Sequence, residues 1–153
     1  MFSQDYEDLF NALNAAKVKY LVVGAHAVAF HSVPRFTKDL DVWIPAALND
    51  ARRVYEALKA FGAPLQGVTP EDFQNPKMFL QIGVAPVRID ILTDLPGVSI
   101  QDAWKHRKRS RYGNTSINVI GLAELIRAKE SANRPQDKLD LKKLRKGKRT
   151  GYR

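Results

Sequence analysis

The sequence predicts an α/β (α+β) domain: a mixed β-sheet with helices packed mainly on one face. Three observations lead there. Short apolar runs of strand length alternate with amphipathic stretches of helical period from the N-terminus to residue 120. Two strand-like runs, 78–83 and 87–92, follow one another separated at Ala85-Pro86, so not every connection is a helical crossover. The chain then closes with two helical stretches in succession, 121–132 and 137–144.

Each element has a local cause. In 5–16, Tyr6, Leu9, Phe10 and Leu13 recur at helical spacing. Tyr20-Leu21-Val22-Val23 is a short buried strand ending at Gly24, and the small apolar run 25–31 reads as a helix that Ser32-Val33-Pro34-Arg35 breaks. Residues 38–44 alternate as a strand, and 48–61 form a second amphipathic helix closed by Gly62. Residues 100–106 read as a short helix and 116–120 as a further strand. The Arg107-Lys108-Arg109 and Arg111-Tyr112 run reads either as a track for a nucleic-acid backbone or as a solvated hairpin. A single domain is expected over 1–145, followed by a basic flexible tail over 146–153.

Composition narrows the function. The chain has 153 residues, 44% hydrophobic and 27% charged, as in ordinary globular domains. It has no cysteine, which excludes disulfide scaffolds, thiolate metal sites and thiol nucleophiles. No apolar run approaches the ~20 residues that cross a bilayer, and the N-terminus lacks the pattern of a signal peptide, so a soluble cytoplasmic protein without a membrane partner is expected. The net charge of +9 is unevenly spread. Residues 1–103 carry nine Lys/Arg against twelve Asp/Glu, whereas 104–153 carry sixteen against four. A basic last third suggests a polyanionic partner such as RNA or a nucleotide phosphate; a solubilising tail is the plain alternative.

The sharpest chemical feature is Asp39-Leu40-Asp41-Val42-Trp43-Ile44. With a side-chain period of two, Asp39 and Asp41 share one strand face while Leu40 and Val42 take the other. Arg88-Ile89-Asp90-Ile91-Leu92 repeats the arrangement. If the strands are neighbours, three carboxylates converge. Two like charges ~6 Å apart repel by roughly 3 kcal/mol at an effective dielectric of 20, which a fold tolerates when protons or cations offset it. Mg²⁺ takes carboxylate oxygens and keeps several waters. Alternatively, Asp39 and Asp41 are the wet face of an edge strand. Upstream, Gly24 lies where a strand turns into a helix, a place where backbone can approach phosphate closely. Arg35, Thr37 and Lys38 immediately precede the acids.

Gly24-Ala25, Asp39-x-Asp41 after thirteen intervening residues, and the later Asp90 resemble the signature of the polymerase-β-like nucleotidyltransferase superfamily. The stretches VVGAHAVAFHSVPRFTKDLDVWI, APVRIDILTDLPGV and GLAELIRAKESANRPQDKLDLKKL resemble more narrowly the small bacterial minimal nucleotidyltransferases, over about residues 5–145. The chain departs from the pattern at Ala25, Ser32 and Asn133. The resemblance implies a nucleotidyltransferase-like fold and an Mg²⁺-dependent enzyme with two ions that moves an NMP from an NTP to an acceptor hydroxyl and releases pyrophosphate. It implies that Asp39, Asp41 and Asp90 are catalytic and metal-binding, and that Gly24, Ala25, Arg35, Thr37, Lys38 and Lys129 contact the nucleotide. The acceptor is left open between RNA such as tRNA, a partner protein and a small hydroxylated molecule. A toxin–antitoxin setting is known among such relatives, and a partner protein or homodimer would complete so small a site. The competing reading is a non-catalytic module of the same fold that binds RNA or a partner protein through its basic last third.

Other residues carry plainer readings. Lys129 is equally a solvated helix lysine, Arg134 and Asp137 read as a salt bridge tying the last two helices, and His26 and His31 read as packing histidines. Trp43 and Trp104 read as core or cover residues.

Overall fold

The structure, a computed structural model, describes residues 2–33, 37, 39–84 and 86–149. Its elements are α1 (Gln4–Ala15), β1 (Leu21–Val23), α2 (Gly24–His31), β2 (Asp39–Trp43), α3 (Leu48–Phe61), a 3₁₀ turn (Pro70–Gln74), β3 (Phe79–Ile82), β4 (Arg88–Leu92), α4 (Ile100–Lys105), β5 (Lys108–Tyr112), β6 (Thr115–Val119), α5 (Leu122–Ala132) and α6 (Pro135–Arg149). The strands form one six-stranded sheet in the order β3-β4-β2-β1-β6-β5. β2 and β4 are parallel, as are β1 and β6, while the other three pairs are antiparallel. The sheet is therefore mixed, as the sequence predicts.

The basic run between residues 107 and 112 lies in a hairpin: β5 pairs with β6 and forms one edge of the sheet. The last helix runs on through Arg149, into the stretch from Lys146 that the sequence reading assigns to a flexible tail. Residues 150–153 lie outside the described residues. The 3₁₀ turn at Pro70 has too short a period to show in the hydrophobic pattern; it seats Phe73 in the core.

Register sorts the side chains. Leu40, Val42, Ile89 and Ile91 lie on one face of the central parallel pair and are fully buried. Val23, Asp39, Asp41, Arg88 and Asp90 lie on the other. The helices gather in two groups: α1 packs on α3, and α5 packs on α6, with α2 touching both of the latter. The amphipathic stripes are those the sequence shows, Tyr6, Leu9, Phe10 and Leu13 on α1 and Ala51, Val54, Ala57 and Leu58 on α3. Among the described residues, no helix is long and apolar enough to cross a membrane.

Caps set the helix ends. Ser3 Oγ accepts from the Tyr6 amide, and Ser99 Oγ accepts from the Asp102 amide. α3 stops at Gly62, whose φ of +97° lets its amide reach the carbonyls of Leu58 and Lys59. A Cβ on Gly62 would meet nothing within 4 Å, so only its backbone conformation resists substitution. Gly62→Ala is therefore expected to lower stability by about 1 kcal/mol, read in urea denaturation as a lower midpoint with an unchanged slope. An unchanged midpoint would show that the α3 terminus relaxes without strain.

Candidate active site

β2 and β4 run side by side in strict register, with Asp39 opposite Arg88, Leu40 opposite Ile89 and Asp41 opposite Asp90. β2 is a central strand, flanked by β1 and β4, so the edge-strand alternative for its acids does not apply. The Asp41 and Asp90 carboxyls share a hydrogen bond, and Asp90 is only 4% exposed. Burial, then the Asp90 charge, the shared hydrogen bond and the Asp39 charge push the Asp41 carboxyl up to about 7; the Lys129 charge opposes them. The pair thus holds a proton near neutral pH where two bare carboxylates would repel. Arg88, which sequence reasoning passes over, turns its Nε onto Asp90 Oδ1 at 3.0 Å. Its guanidinium is held above the usual arginine range by that hydrogen bond first and by the charges of the three acids beyond it.

Asp39 lies on the same face but does not close the group. Among the described residues, no three acids or histidines stand in the arrangement of a metal-ligand cluster. The tight convergence of three carboxylates expected from strand parity is thus reduced to a hydrogen-bonded pair with Asp39 alongside. The physical reason is inter-strand register: strand parity fixes only the face, and the pairing of β2 with β4 sets Asp39 opposite Arg88 rather than opposite an acid.

Gly24 closes the site from the side of α2. Its φ is +66°, and a Cβ there would lie 2.0 Å from Asp41 Oδ2. The first turn of α2 therefore abuts the carboxylate only because residue 24 has no side chain. Ala25 follows in the same turn, and the helix has no side-chain N-cap. Thr37 has a buried Oγ1 without a hydrogen-bond partner among the described residues. Arg35 and Lys38 lie outside the described residues.

The opposite wall is α5. Leu125, Ala128 and Lys129, with Val23, Gly24, Asp41, Leu92, Leu95 and Pro96, line a cleft of about 430 Å³. Lys129 is not a solvated lysine: it is 9% exposed, with Nζ 3.1 Å from Asp137 Oδ1 and 3.0 Å from Asp140 Oδ2. It therefore ties α5 to α6, a role expected of Arg134. Arg134 instead pairs within its own helix start, donating from Nε to Asp137 Oδ2 at 2.7 Å while its amide donates to the same oxygen. With Pro135 as the first helical residue, Asp137 sits where a carboxylate caps the free amides. Burial alone would raise the Asp137 carboxyl, but Arg134 and Lys129 outweigh it and hold the group at about 2. Asp140, three residues on, escapes a motif search; its helical spacing from Asp137 is the signal that could have found it.

The histidines behave as packing groups. His31 Nε2 is 2.7 Å from the Ile120 carbonyl. His26 stands edge-on to Tyr6 at 5.6 Å, and burial pushes its imidazole down to about 4 against the opposing Asp39 charge. Tyr6 Oη donates to the Arg88 carbonyl at 3.2 Å, and its phenol is raised to about 12, chiefly by burial. Trp43 is core at 2% exposure.

A mixed sheet with an acid pair on adjacent parallel strands and a glycine-led helix against it is the architecture of a nucleotidyltransferase. The chain belongs to the family described as nucleotidyl transferase of unknown function (DUF2204), whose model matches residues 2–151. No curated protein sequence matches it. Among solved structures it is similar to the lincomycin-bound lincosamide antibiotic adenylyltransferase LnuA, at a TM-score of 0.61 and 14% identity, over 94% of this chain and 97% of that one. It is also similar to a putative nucleotidyltransferase from Thermotoga maritima, TM1012, at a TM-score of 0.56 and 16% identity, over 99% and 93% of the two chains. At these identities the likeness shows the fold.

The proton on the acid pair has a measurable consequence. Because the folded pKa of Asp41 lies above its unfolded value of 3.8, the folded chain binds a proton that the unfolded chain sheds between about pH 4 and 7. That stabilisation is complete below the unfolded pKa and is lost as pH rises through about 7. In metal-free buffer Asp41→Asn is therefore expected to be more stable than the wild type at pH 8, by on the order of 1–3 kcal/mol, with the difference vanishing near pH 4. Denaturant titrations of both proteins across this range check it, and the His26 titration cancels in the comparison. A variant less stable than the wild type at pH 8 would refute the account.

Proposed function

We propose that the protein is an Mg²⁺-dependent nucleotidyltransferase that moves an NMP from an NTP to an acceptor hydroxyl and releases pyrophosphate. The observation that carries this reading is the register of Asp41 with Asp90 beside Gly24 and the first turn of α2. The donor set suits a hard cation: two adjacent carboxyls that hold a proton near neutral pH are short of positive charge, and Asp39 stands on the same face. Asp39, Asp41 and Asp90 would hold Mg²⁺, two ions by analogy with the superfamily, and the bound metal would neutralise charge on the phosphates and favour the attacking oxygen.

The chain's own residues do the rest. Gly24 and Ala25 offer backbone amides at a helix N-terminus to the triphosphate. The Thr37 hydroxyl, without a partner among the described residues, supports a further hydrogen bond, and Arg35 and Lys38, its near neighbours in sequence, supply cations. Lys129 has three donors, of which Asp137 and Asp140 use two, leaving one for a phosphate oxygen. Asp90 accepts the proton of the attacking hydroxyl, and Arg88 steadies its carboxylate. Holding both reactants in line in a partly closed cleft accounts for much of the expected acceleration.

Three acceptors fit this reading: an RNA 3′ end, a side chain of a partner protein, and a small hydroxylated molecule. One observation favours the small molecule as a second reading. Leu92, Leu95, Pro96, Leu125 and Ala128 give the cleft an apolar stretch beside its charged residues Asp41, Asp94, Lys129, Arg134 and Asp137, and LnuA, an antibiotic adenylyltransferase, is matched over almost its whole length. The toxin–antitoxin setting belongs to this reading only where the acceptor is the host's own RNA or a partner protein.

Incubation with each α-labelled NTP, Mg²⁺ and total RNA or lysate tests the proposal and identifies base and acceptor together. Label is expected in one acceptor class, to be lost with EDTA, and to fall at least ~100-fold in Asp41→Asn and Asp90→Asn. Equal transfer by wild type and Asp41→Asn would remove the enzyme reading. A folded wild type that transfers no label to any acceptor would favour the non-catalytic module.

Gly24→Ala adds a separate expectation. The new Cβ would displace the Asp41 carboxylate, so labelling should fall by at least ~10-fold even though Asp39, Asp41 and Asp90 are intact. Unchanged labelling would show that α2 can withdraw from Asp41 at no cost to the site.

A further inference from the structure

A second hollow, sharing no residue with the acid cleft, lies at the other end of β1. Asn14, Lys17, Val18, Lys19, Trp104, Arg109, Ser116 and Asn118 line it, with a volume of about 370 Å³. Three chain segments meet there: the end of α1 with its turn into β1, the short α4, and the β5–β6 hairpin. Its charged lining residues are Lys17, Lys19 and Arg109, all exposed, and no acid lines it. Among the described residues none of the three is in an ion pair.

Two features set this hollow apart from a scatter of surface lysines. The first is Lys17. α1 ends in a Schellman turn, in which the Lys17 amide donates to the Asn14 carbonyl and the Val18 amide to the Leu13 carbonyl. The turn places Lys17 at a φ of +59°, a conformation that glycine adopts without strain. A lysine is held there against its backbone preference, with its cation at the hollow. The second is Trp104. Arg107 lies over its indole at 3.8 Å from the centroid and donates to the Trp104 carbonyl at 2.8 Å. Arg107 thus covers one ring face and fixes the indole, whose remaining exposed surface lines the hollow beside three cations, the combination that holds a base and its neighbouring phosphates.

Register relates the hollow to the cleft. Asp41 stands opposite Val23, Val22 opposite Val119, and Asn118 opposite Arg109. By alternation, Asn118 and Arg109 lie on the sheet face that carries Asp39, Asp41 and Asp90. Three strand spacings of ~4.8 Å and two residues at ~3.3 Å put Arg109 about 16 Å from Asp41.

We propose that this hollow binds a phosphodiester segment of single-stranded RNA, with Lys17, Lys19 and Arg109 on the phosphates and Trp104 beneath a base. Two of its cations come from the net acidic part of the sequence, so it is not the basic last third acting as a whole. The site is a binding surface in its own right and does not rest on the transfer reaction.

The test is binding of a fluorescein-labelled oligouridylate 12-mer to the full chain in EDTA, without nucleotide, across a salt series. Keeping metal and NTP out separates its failure from failure of the enzyme reading. Lys17→Gly combined with Lys19→Gln and Arg109→Gln is expected to weaken binding roughly 10- to 100-fold and to flatten the log–log salt slope by about 2, three phosphate contacts at ~0.7 each. Lys17→Gly alone should weaken binding yet raise Tm, because it removes a charge and the backbone strain together. Lys138→Gln with Lys142→Gln and Lys143→Gln, the same loss of three charges on α6, should change affinity less than about threefold. The oligouridylate should also alter Trp104 emission, read in a Trp43→Phe background, whereas heparin should not. No binding by the wild type, an unchanged slope in the triple variant, or an equal loss in the α6 variant would overturn the proposal. Heparin matching the oligouridylate in both affinity and emission change would overturn the assignment to RNA.

Discussion

Two carboxyls face one another across the parallel strands β2 and β4, whose reverse side carries the buried Leu40, Val42, Ile89 and Ile91. Bare, they would repel strongly in so dry a setting. The surrounding structure answers that repulsion. The pair keeps a proton, Arg88 turns onto Asp90 from the same strand, and the Lys129 cation acts on Asp41 from across the cleft. A fold that only needed a stable sheet would place apolar or neutral residues at these positions. A pair compensated by a proton can exchange that proton for a cation, which is the basis of the metal site proposed above.

The same constraint reaches α5 and α6. Lys129 can lie buried near the acid pair because Asp137 and Asp140 hold it, and Asp137 is itself held by Arg134 and the amide at the start of α6. Buried charges of this kind contribute little net stability, since their desolvation offsets most of their attraction. Their effect is positional: they fix the angle at which α5 closes over the sheet, and hence the width of the cleft. Gly24 does the same from the side of α2, where any side chain would strike Asp41.

The charge asymmetry of the sequence resolves into two separate chemistries. Acids gather at the middle of the sheet beneath α2 and α5, whereas the β5 edge is basic and exposed. Unpaired backbone on an edge strand invites association with other strands, and Lys108, Arg109 and Arg111 discourage it while leaving the surface attractive to polyanions.

Much of this was legible in the sequence. Period-two alternation put Asp39, Asp41 and Asp90 on one face and Leu40, Val42, Ile89 and Ile91 on the other, because strand parity is a local property of the chain. Helical spacing marked the buried stripes of α1 and α3 for the same reason. What the sequence could not decide was pairing across distance. That Asp41 stands opposite Asp90 with Asp39 opposite Arg88 is a matter of inter-strand register, which depends on the whole sheet. That Lys129 meets Asp137 and Asp140, and that Lys19 lines one hollow with Arg109 and Trp104, follows from how helices and hairpins dock, and no local pattern encodes it. Local periodicity determined which residues could serve; tertiary packing decided which of them stand within reach of one another.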